Sequence, residues 1–362
     1  MKNVAAVIFL VTRTLADGIR LFATALVISV VTQVPVTLAV VLIGSAMIIY
    51  TVRGGSAAVI WTDVVQLFVY AGGAAVVFVS LLALIPGGWG EVVRAGSAAG
   101  KFRVLDLSWS LARPYTLWAG IVGGMALTLS THGTDQFLVQ RLLSARSARE
   151  AARGLVLSGF LVLAQFVLFL IIGVMLFTYY QHVPLSRALA RGDEVLPTFI
   201  VTALPHGAAG VIIAAIVAAA LSPSINAMAA TTVNDFYVKY IRPDADEATK
   251  MRVSRRWTII WGIVQIGVAI AAQRMQRSVL DAGLAVLSWA SGPVLGAFLL
   301  GTLAPHITEG QALAGMIAGL LAMTIVWGWA LPIAFTWYVF IGAATTAIVA
   351  HAVHASRRTL TF

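Results

Sequence analysis

The motif Gly133-Thr134-Asp135-Gln136 places a carboxylate and an amide at the end of a long apolar stretch. About twenty residues without Lys, Arg, Asp or Glu separate Arg113 from Asp135, which is the length of a membrane-spanning helix. A charged side chain at bilayer depth costs roughly 2.5 to 3.5 kcal/mol, so such groups usually face a bundle interior or an aqueous pathway. Asp135 therefore marks a candidate pathway. The alternative is a structural lock, in which Asp135 pairs with Arg141 or with a neighbouring helix.

Three further polar residues, Thr128, Thr131 and His132, lie one to two helical turns before Asp135. A lone histidine in a membrane helix is usually an interior imidazole satisfied by hydrogen bonds. No second histidine lies within helical reach of it, so we expect no transition-metal site.

Arg13, Asp17 and Arg20 are spaced four and three residues apart, which places them on one face of a helix. An unpaired arginine inside an apolar segment is costly, so a ladder of ion pairs within the bundle is the expected arrangement. The alternative is contact between an anionic solute and Arg13 or Arg20.

The segment from Ser288 to Pro293 brings two serines and a Gly-Pro pair into an otherwise apolar helix. Gly-Pro inside a span frees backbone groups, which often line a cavity or form a hinge. We therefore predict a hinge at Pro293 and place Ser288 among the candidate solute contacts. Asp281, near the outer end of the same helix, is a candidate for an outer gate or simply a hydrated acid.

Membrane helices must position these residues, because the chain is 60% hydrophobic, 10% charged and has a mean hydropathy of +0.94. A span needs about 20 apolar residues. The sequence predicts an all-α polytopic membrane protein with about ten helices, at 4–32, 35–52, 57–84, 115–141, 152–180, 208–236, 256–273, 279–302, 310–329 and 332–354.

We predict one transmembrane domain over residues 1–362, since no linker or shift in composition divides the chain. Short surface helices are expected in the two long outer loops, 86–113 and 181–207, and a solvated connector in the inner loop, 238–255. The net charge of +10 comes from residues at helix ends. Nucleic acid is therefore not an expected partner. Lys and Arg favour the loops on the side of residue 1, which predicts a cytoplasmic N-terminus in a bacterial inner (cell) membrane.

Three motifs resemble the sodium/solute symporter family, which includes bacterial sodium/proline and sodium/sugar cotransporters. The first, 50–66, is a glycine turn followed by a span that begins with Asp63. The second, 133–146, contains Asp135, Gln136 and Arg141. The third, 220–237, contains Ser222, Pro223 and Asn226.

The resemblance implies a partial inverted-repeat, LeuT-type transporter fold and cation-coupled movement of a small hydrophilic solute by alternating access. It also makes Thr128, Thr131 and His132 candidates for contact with the solute, because members place solute-contacting groups in this stretch; the alternative for His132 is the satisfied interior imidazole. Family members begin with about three further helices, so we expect an N-terminally truncated chain that lacks the first of them. An inactive fragment is one alternative, and a solute-sensing membrane module without net transport is another. An enzyme is not expected, because no nucleophile with an accompanying base is recognisable.

The resemblance also implies a cation site, at Asp63, Ile216, Ala219, Ala220 and Ser222. The alternative for Asp63 is an acid at a helix N-terminus, where the helix dipole favours negative charge. Members carry two adjacent hydroxyl residues where this chain has Ala219 and Ala220, and alanine side chains offer no oxygen to a hard cation. Pro223 lacks an N–H, so it frees the Ala219 carbonyl as a substitute ligand; the alternative is that Pro223 only kinks the helix. We therefore expect weak sodium dependence, with sodium or a proton as the coupling ion and no other cofactor.

Overall fold

The computed structural model describes residues 2–53, 59–143, 145–185, 188–220, 224–275, 278–329 and 331–359, with only the backbone described at some helical positions. These residues form helices joined by connections that are mostly short, apart from residues 99–118. Six helices in the described ranges are each long and apolar enough to cross a membrane. We call the end of the bundle that carries Lys2 the inner end, following the charge prediction.

Fourteen α-helices follow one another along the described residues. They are α1 Lys2–Thr32, α2 Val36–Arg53, α3 Val59–Leu84, α4 Gly88–Ala98, α5 Met125–Gly133, α6 Gln136–Leu143, α7 Ala148–His182, α8 Val195–Ala203, α9 His206–Ala220, α10 Ser224–Thr231, α11 Glu247–Ala272, α12 Val279–Leu303, α13 Glu309–Gly328 and α14 Tyr338–Thr359. Two π-helical segments, Ala119–Gly124 and Thr232–Ile241, precede α5 and follow α10.

Side-chain caps fix several helix starts, as polar residues just before apolar runs predict. Ser147 accepts a hydrogen bond from the Glu150 N–H at 3.2 Å and starts α7. Ser278 does the same for the Asp281 N–H at 3.1 Å and starts α12. Each predicted span coincides with a helix or with a helix divided into shorter pieces.

The core is divided among several hydrophobic clusters. One cluster joins α3, α4, α7, α8 and α9, with Phe199 and Met175 fully buried. Another joins α1, α2, α11 and α12 around Leu21 and Ala25. Helices α12, α13 and α14 pack against one another. The inner part of α7 lies largely outside these clusters, so α7 is long but sparsely covered.

Two loop predictions need correction. The second outer loop contains α8, which was expected on the surface; Phe199 and Ile200 on it are buried in the core instead. The predicted inner connector is shorter than expected, because α11 begins at Glu247 and extends the helix beyond its apolar part. Ion pairs between residues three apart support this part of the helix. One example is Glu247 with Lys250, whose Oε1 and Nζ atoms lie 2.8 Å apart.

Helix α12 runs without a break through Pro293, and the hinge expected there stays a prediction. Gly292 and Pro293 pack against α14: a Cβ on Gly342 would lie 2.7 Å from Pro293 Cδ. Small residues at this crossing let the two backbones approach closely. The Gly-Pro pair therefore serves helix packing in this structure.

Candidate functional site

A cavity of about 530 Å³ lies between the first half of α1, α5, the start of the second π-helical segment and α12. We call it the polar cavity, because six hydroxyl side chains and two carboxylates line it among apolar residues. Its polar residues are Thr12, Ser130, Thr131, Thr134, Asp135, Thr231, Asp235 and Ser291.

The hydroxyl protons in the polar cavity are mostly directed back into the helices. Thr12, Thr131 and Ser291 donate to the carbonyl oxygen four residues earlier, at 2.7, 2.6 and 2.6 Å. A hydroxyl group has one proton and two acceptor lone pairs. These side chains therefore offer oxygen acceptors to whatever occupies the cavity.

Ser130 connects two walls of the polar cavity. Its hydroxyl donates to the Ser291 carbonyl across the α5–α12 contact, at 3.1 Å. Thr134 donates to the Ser130 carbonyl at 2.8 Å and lies at the end of α5, with φ −123° and ψ −16°. The break between α5 and α6 thus lies on the cavity wall.

The two carboxylates give the polar cavity its charge. Asp135 lies just before α6, and its Oδ1 accepts a hydrogen bond from the Leu138 N–H at 3.3 Å. Asp135 therefore also caps the N-terminus of α6. Asp235 lies in the π-helical segment and is half-buried. Carboxylate, hydroxyl and carbonyl oxygens are the ligands that hard cations prefer. The arrangement can hold a cation or the donor groups of a hydrophilic solute.

The four candidate solute residues do not converge on one place. Thr131 lines the polar cavity, whereas Thr128 lines a different one. His132 lines neither, and its Nδ1 lies 3.0 Å from the Thr128 carbonyl oxygen. Ser288 is fully buried; its hydroxyl oxygen has no hydrogen-bond partner among the described residues, and it lines neither cavity.

The cavity that Thr128 lines has a volume of about 1290 Å³ and lies between the first π-helical segment, α5, α12 and α14. We call it the apolar cavity, because Leu295, Leu299 and similar residues form most of its wall. Thr128, His306 and His351 are its polar side chains. It offers few groups that would recognise a hydrophilic solute.

The predicted cation-coupling positions fall largely outside the described residues. Ser222 and Pro223 lie outside them entirely, as do the side chains of Asp63, Ala219 and Ala220, although the backbones of those three are helical. Ile216 is half-buried and packs against the cluster of α3, α7 and α9.

The ion-pair ladder predicted on α1 is present. Asp17 is buried, with Oδ2 3.2 Å from Arg13 Nε and Oδ1 2.8 Å from Arg20 Nη2. The ladder keeps all three charges on one face. Asn226 lies half-buried in α10, and the side chains of Gln136 and Arg141 lie outside the described residues.

Asp281, the candidate for an outer gate, accepts a hydrogen bond from the Tyr115 hydroxyl. Tyr115 packs edge-on against Phe335, with ring centroids 6.3 Å apart. The first turn of α12 is thereby tied to the segment that leads into α5.

Sequence reasoning missed several residues of the polar cavity, among them Thr12, Ser130, Asp235 and Ser291. Asp235 lies in the third motif, and a carboxylate at the end of an apolar helix is the signal that should have singled it out. Thr12 and Ser291 gave no such signal, because a single hydroxyl in a membrane helix usually bonds to its own backbone.

The comparisons with known proteins agree with this architecture. The model of the "Sodium:solute symporter family" matches residues 1–319. The chain belongs to this family. A solved structure of a Na⁺-coupled sialic acid symporter, substrate-bound and outward-open, superposes with a TM-score of 0.80 at 29% identity and covers 96% of this chain and 72% of that one. This likeness confirms the predicted transporter fold.

Two curated relatives show how far the sequence similarity extends. The sodium/sialic acid symporter SiaT of Proteus mirabilis (strain HI4320) is 33% identical over 295 residues, which cover 80% of this chain and 59% of the relative. The human sodium/iodide cotransporter is 31% identical over 325 residues, covering 86% and 49%. The chain thus spans about half to three fifths of the length of these relatives.

Proposed function

We propose that this integral membrane protein is a cation-coupled symporter, not an enzyme, which moves a small hydrophilic solute by alternating access across a bacterial inner membrane. One observation carries the proposal: the polar cavity collects two carboxylates and a set of acceptor oxygens between apolar helices. Groups of this kind are costly in a membrane and mark pathways. The proposed partners of the protein are the solute, a monovalent cation and the lipid bilayer.

The polar cavity supplies the binding groups in this proposal. Asp135 and Asp235 attract the cation or the donor groups of the solute, and the Thr131 oxygen accepts from the same ligand. The α5–α6 break next to Asp135 provides a place where the cavity wall can move. A transporter needs such an element, because coupling requires different cation affinities in its two states.

Sodium is the coupling ion in the names of the relatives, and we propose it here with weak dependence. Ala219 and Ala220 remove two hydroxyl oxygens that the family pattern supplies, which leaves the Ala219 carbonyl, Asp63 and Ser222 as proposed ligands. The carboxylates of the polar cavity add electrostatic attraction without strong selectivity for one monovalent cation.

Uptake into proteoliposomes tests the proposal, with sialic acid, iodide and a monocarboxylate as candidate solutes. We expect accumulation driven by an inward cation gradient. Replacing sodium by choline should slow uptake less than roughly tenfold, equivalent to about 1.4 kcal/mol. A complete collapse would contradict weak sodium dependence. Solute binding without uptake under any cation gradient would contradict transport and favour a sensing module.

A further inference from the structure

The segment from Lys101 to Trp118, which connects α4 to the first π-helical segment, has an unusual distribution of polar and apolar residues. We propose that its apolar edge lies in the outer-leaflet interface of the bilayer, as a membrane-bound strap over the outer end of α14. This inference is independent of the transport activity. The segment overlaps the outer loop 86–113, in which the sequence predicts short surface helices.

Exposure alternates over residues 105–111 of the strap, which is the first observation. Leu105, Leu107, Trp109 and Leu111 are 60%, 64%, 68% and 44% exposed. The residues between them, Asp106, Ser108 and Ser110, are half-buried. An extended chain points successive side chains to opposite sides. The apolar side chains of the strap therefore point outward. A loop in water would expose its polar side chains and bury its apolar ones.

The inward polar residues hold the strap's own backbone and charges. Ser108 N–H donates to Asp106 Oδ1 at 3.0 Å. Arg103 and Arg113 approach the two Asp106 oxygens at 3.6 and 3.5 Å, and their side chains remain 69% and 66% exposed. Since Asp106 is occupied from within, the exposed side chains between Arg103 and Arg113 are apolar apart from these two arginines. Exposed guanidinium groups suit phosphate headgroups.

The position of the strap fixes its depth. The Ala334 N–H donates to the Leu111 carbonyl at 2.7 Å, just before α14, and the Trp109 and Trp337 rings lie 5.7 Å apart. The nearby end of α13 carries Trp329, which is 77% exposed. Trp and Tyr gather at membrane–water interfaces. A strap with an irregular backbone cannot lie in the hydrocarbon, so the interface is the depth that fits both its backbone and its side chains.

The absence of cysteine from the sequence makes a direct test simple. Single cysteines replace Leu105, Leu107, Trp109 and Leu111 in one series and Asp106, Ser108 and Ser110 in the other. Each cysteine is labelled with a nitroxide, and the protein is reconstituted in phosphatidylethanolamine–phosphatidylglycerol vesicles. The collision rate of the nitroxide with oxygen is then compared with its collision rate with a water-soluble nickel chelate. Leu321→Cys on the exposed face of α13 gives the lipid reference, and Asp244→Cys in an inner turn gives the water reference.

We expect oxygen accessibility to oscillate with a period of two residues, highest in the first series and between the two references. Labels of the first series that match the water reference would overturn the proposal. Labels that neither reagent reaches would also overturn it, because they would show that protein covers the strap. Spin–spin broadening that disappears on dilution with unlabelled protein would overturn it as well, because it would show that a second copy of the chain lies against the strap. If a variant of the second series fails to fold, brominated lipid provides a second measurement: it should quench less tryptophan fluorescence in Trp109→Phe than in the unchanged protein.

Discussion

The polar and apolar cavities share two walls, α5 and α12, and differ in what those walls present. Ser130, Thr131 and Ser291 face the polar cavity, where two carboxylates complete the lining. Met125, Leu129 and Leu299 face the apolar cavity, which is more than twice as large. The smaller cavity is thus the chemically equipped one, so in this protein size does not identify the site.

The boundary between the two cavities runs along a single helix. Thr128 and Thr131 are three residues apart on α5, yet they line different cavities. A polar residue in an apolar helix therefore does not report a binding role by its type alone. The neighbours that the fold places opposite it decide the role.

The largest effect is expected from Asp135→Asn, which removes a charge from the polar cavity and keeps the side-chain size. Loss of a charged hydrogen-bond acceptor costs about 1.5 to 3 kcal/mol, which is roughly 10- to 100-fold in affinity. We expect the half-saturating cation concentration for uptake to rise by that factor.

Asp244→Asn is the matched control, because Asp244 is exposed in the turn between the second π-helical segment and α11. It should leave the half-saturating concentration unchanged. If the half-saturating concentration is also unchanged in Asp135→Asn, Asp135 does not bind the cation, and its role is to cap α6.

A smaller effect, on stability, is expected where α12 bounds the apolar cavity. A Cβ on Gly296 would lie 2.7 Å from Thr346 Cβ and 2.8 Å from the Ala343 carbonyl oxygen. Gly296→Ala should therefore destabilise the protein by about 1 to 3 kcal/mol through overpacking. The midpoint of thermal unfolding in detergent measures it.

Gly301→Ala on the same helix is the control, because a Cβ there meets nothing within 4 Å. It should hold or raise the midpoint, since Ala is about 1 kcal/mol better than Gly inside a helix. A midpoint for Gly296→Ala that equals or exceeds that of the unchanged protein would show that α12 and α14 are not closely packed at this wall.

The length of the apolar runs predicted most of the fold, because membrane helices are set by length and hydrophobicity. This reasoning failed where tertiary packing decides: Phe199 is buried although it lies in a loop region by sequence. The hinge expected at Pro293 stays a prediction, since α12 continues through that residue. The spacing of Arg13, Asp17 and Arg20 predicted their ion pairs, since that geometry is local to one helix.

The candidate site was only partly predictable. Asp135 and Thr131 stood out by charge and by motif, and both line the polar cavity. Ser291 reaches that cavity from α12, about 160 residues further along the chain, and no local pattern indicates such a meeting. Ser288, three residues earlier on the same helix, is fully buried away from both cavities.

The central claim is that the polar cavity is the aqueous solute site and the apolar cavity is not. Thr131→Cys and Thr128→Cys test it as a matched pair in a chain without other cysteines. The rate of reaction with a water-soluble maleimide is measured in proteoliposomes, with and without transported solute. We predict that Thr131→Cys reacts and that solute slows the reaction, whereas Thr128→Cys stays unreactive. Equal rates, or protection by solute at Thr128→Cys alone, would contradict the account.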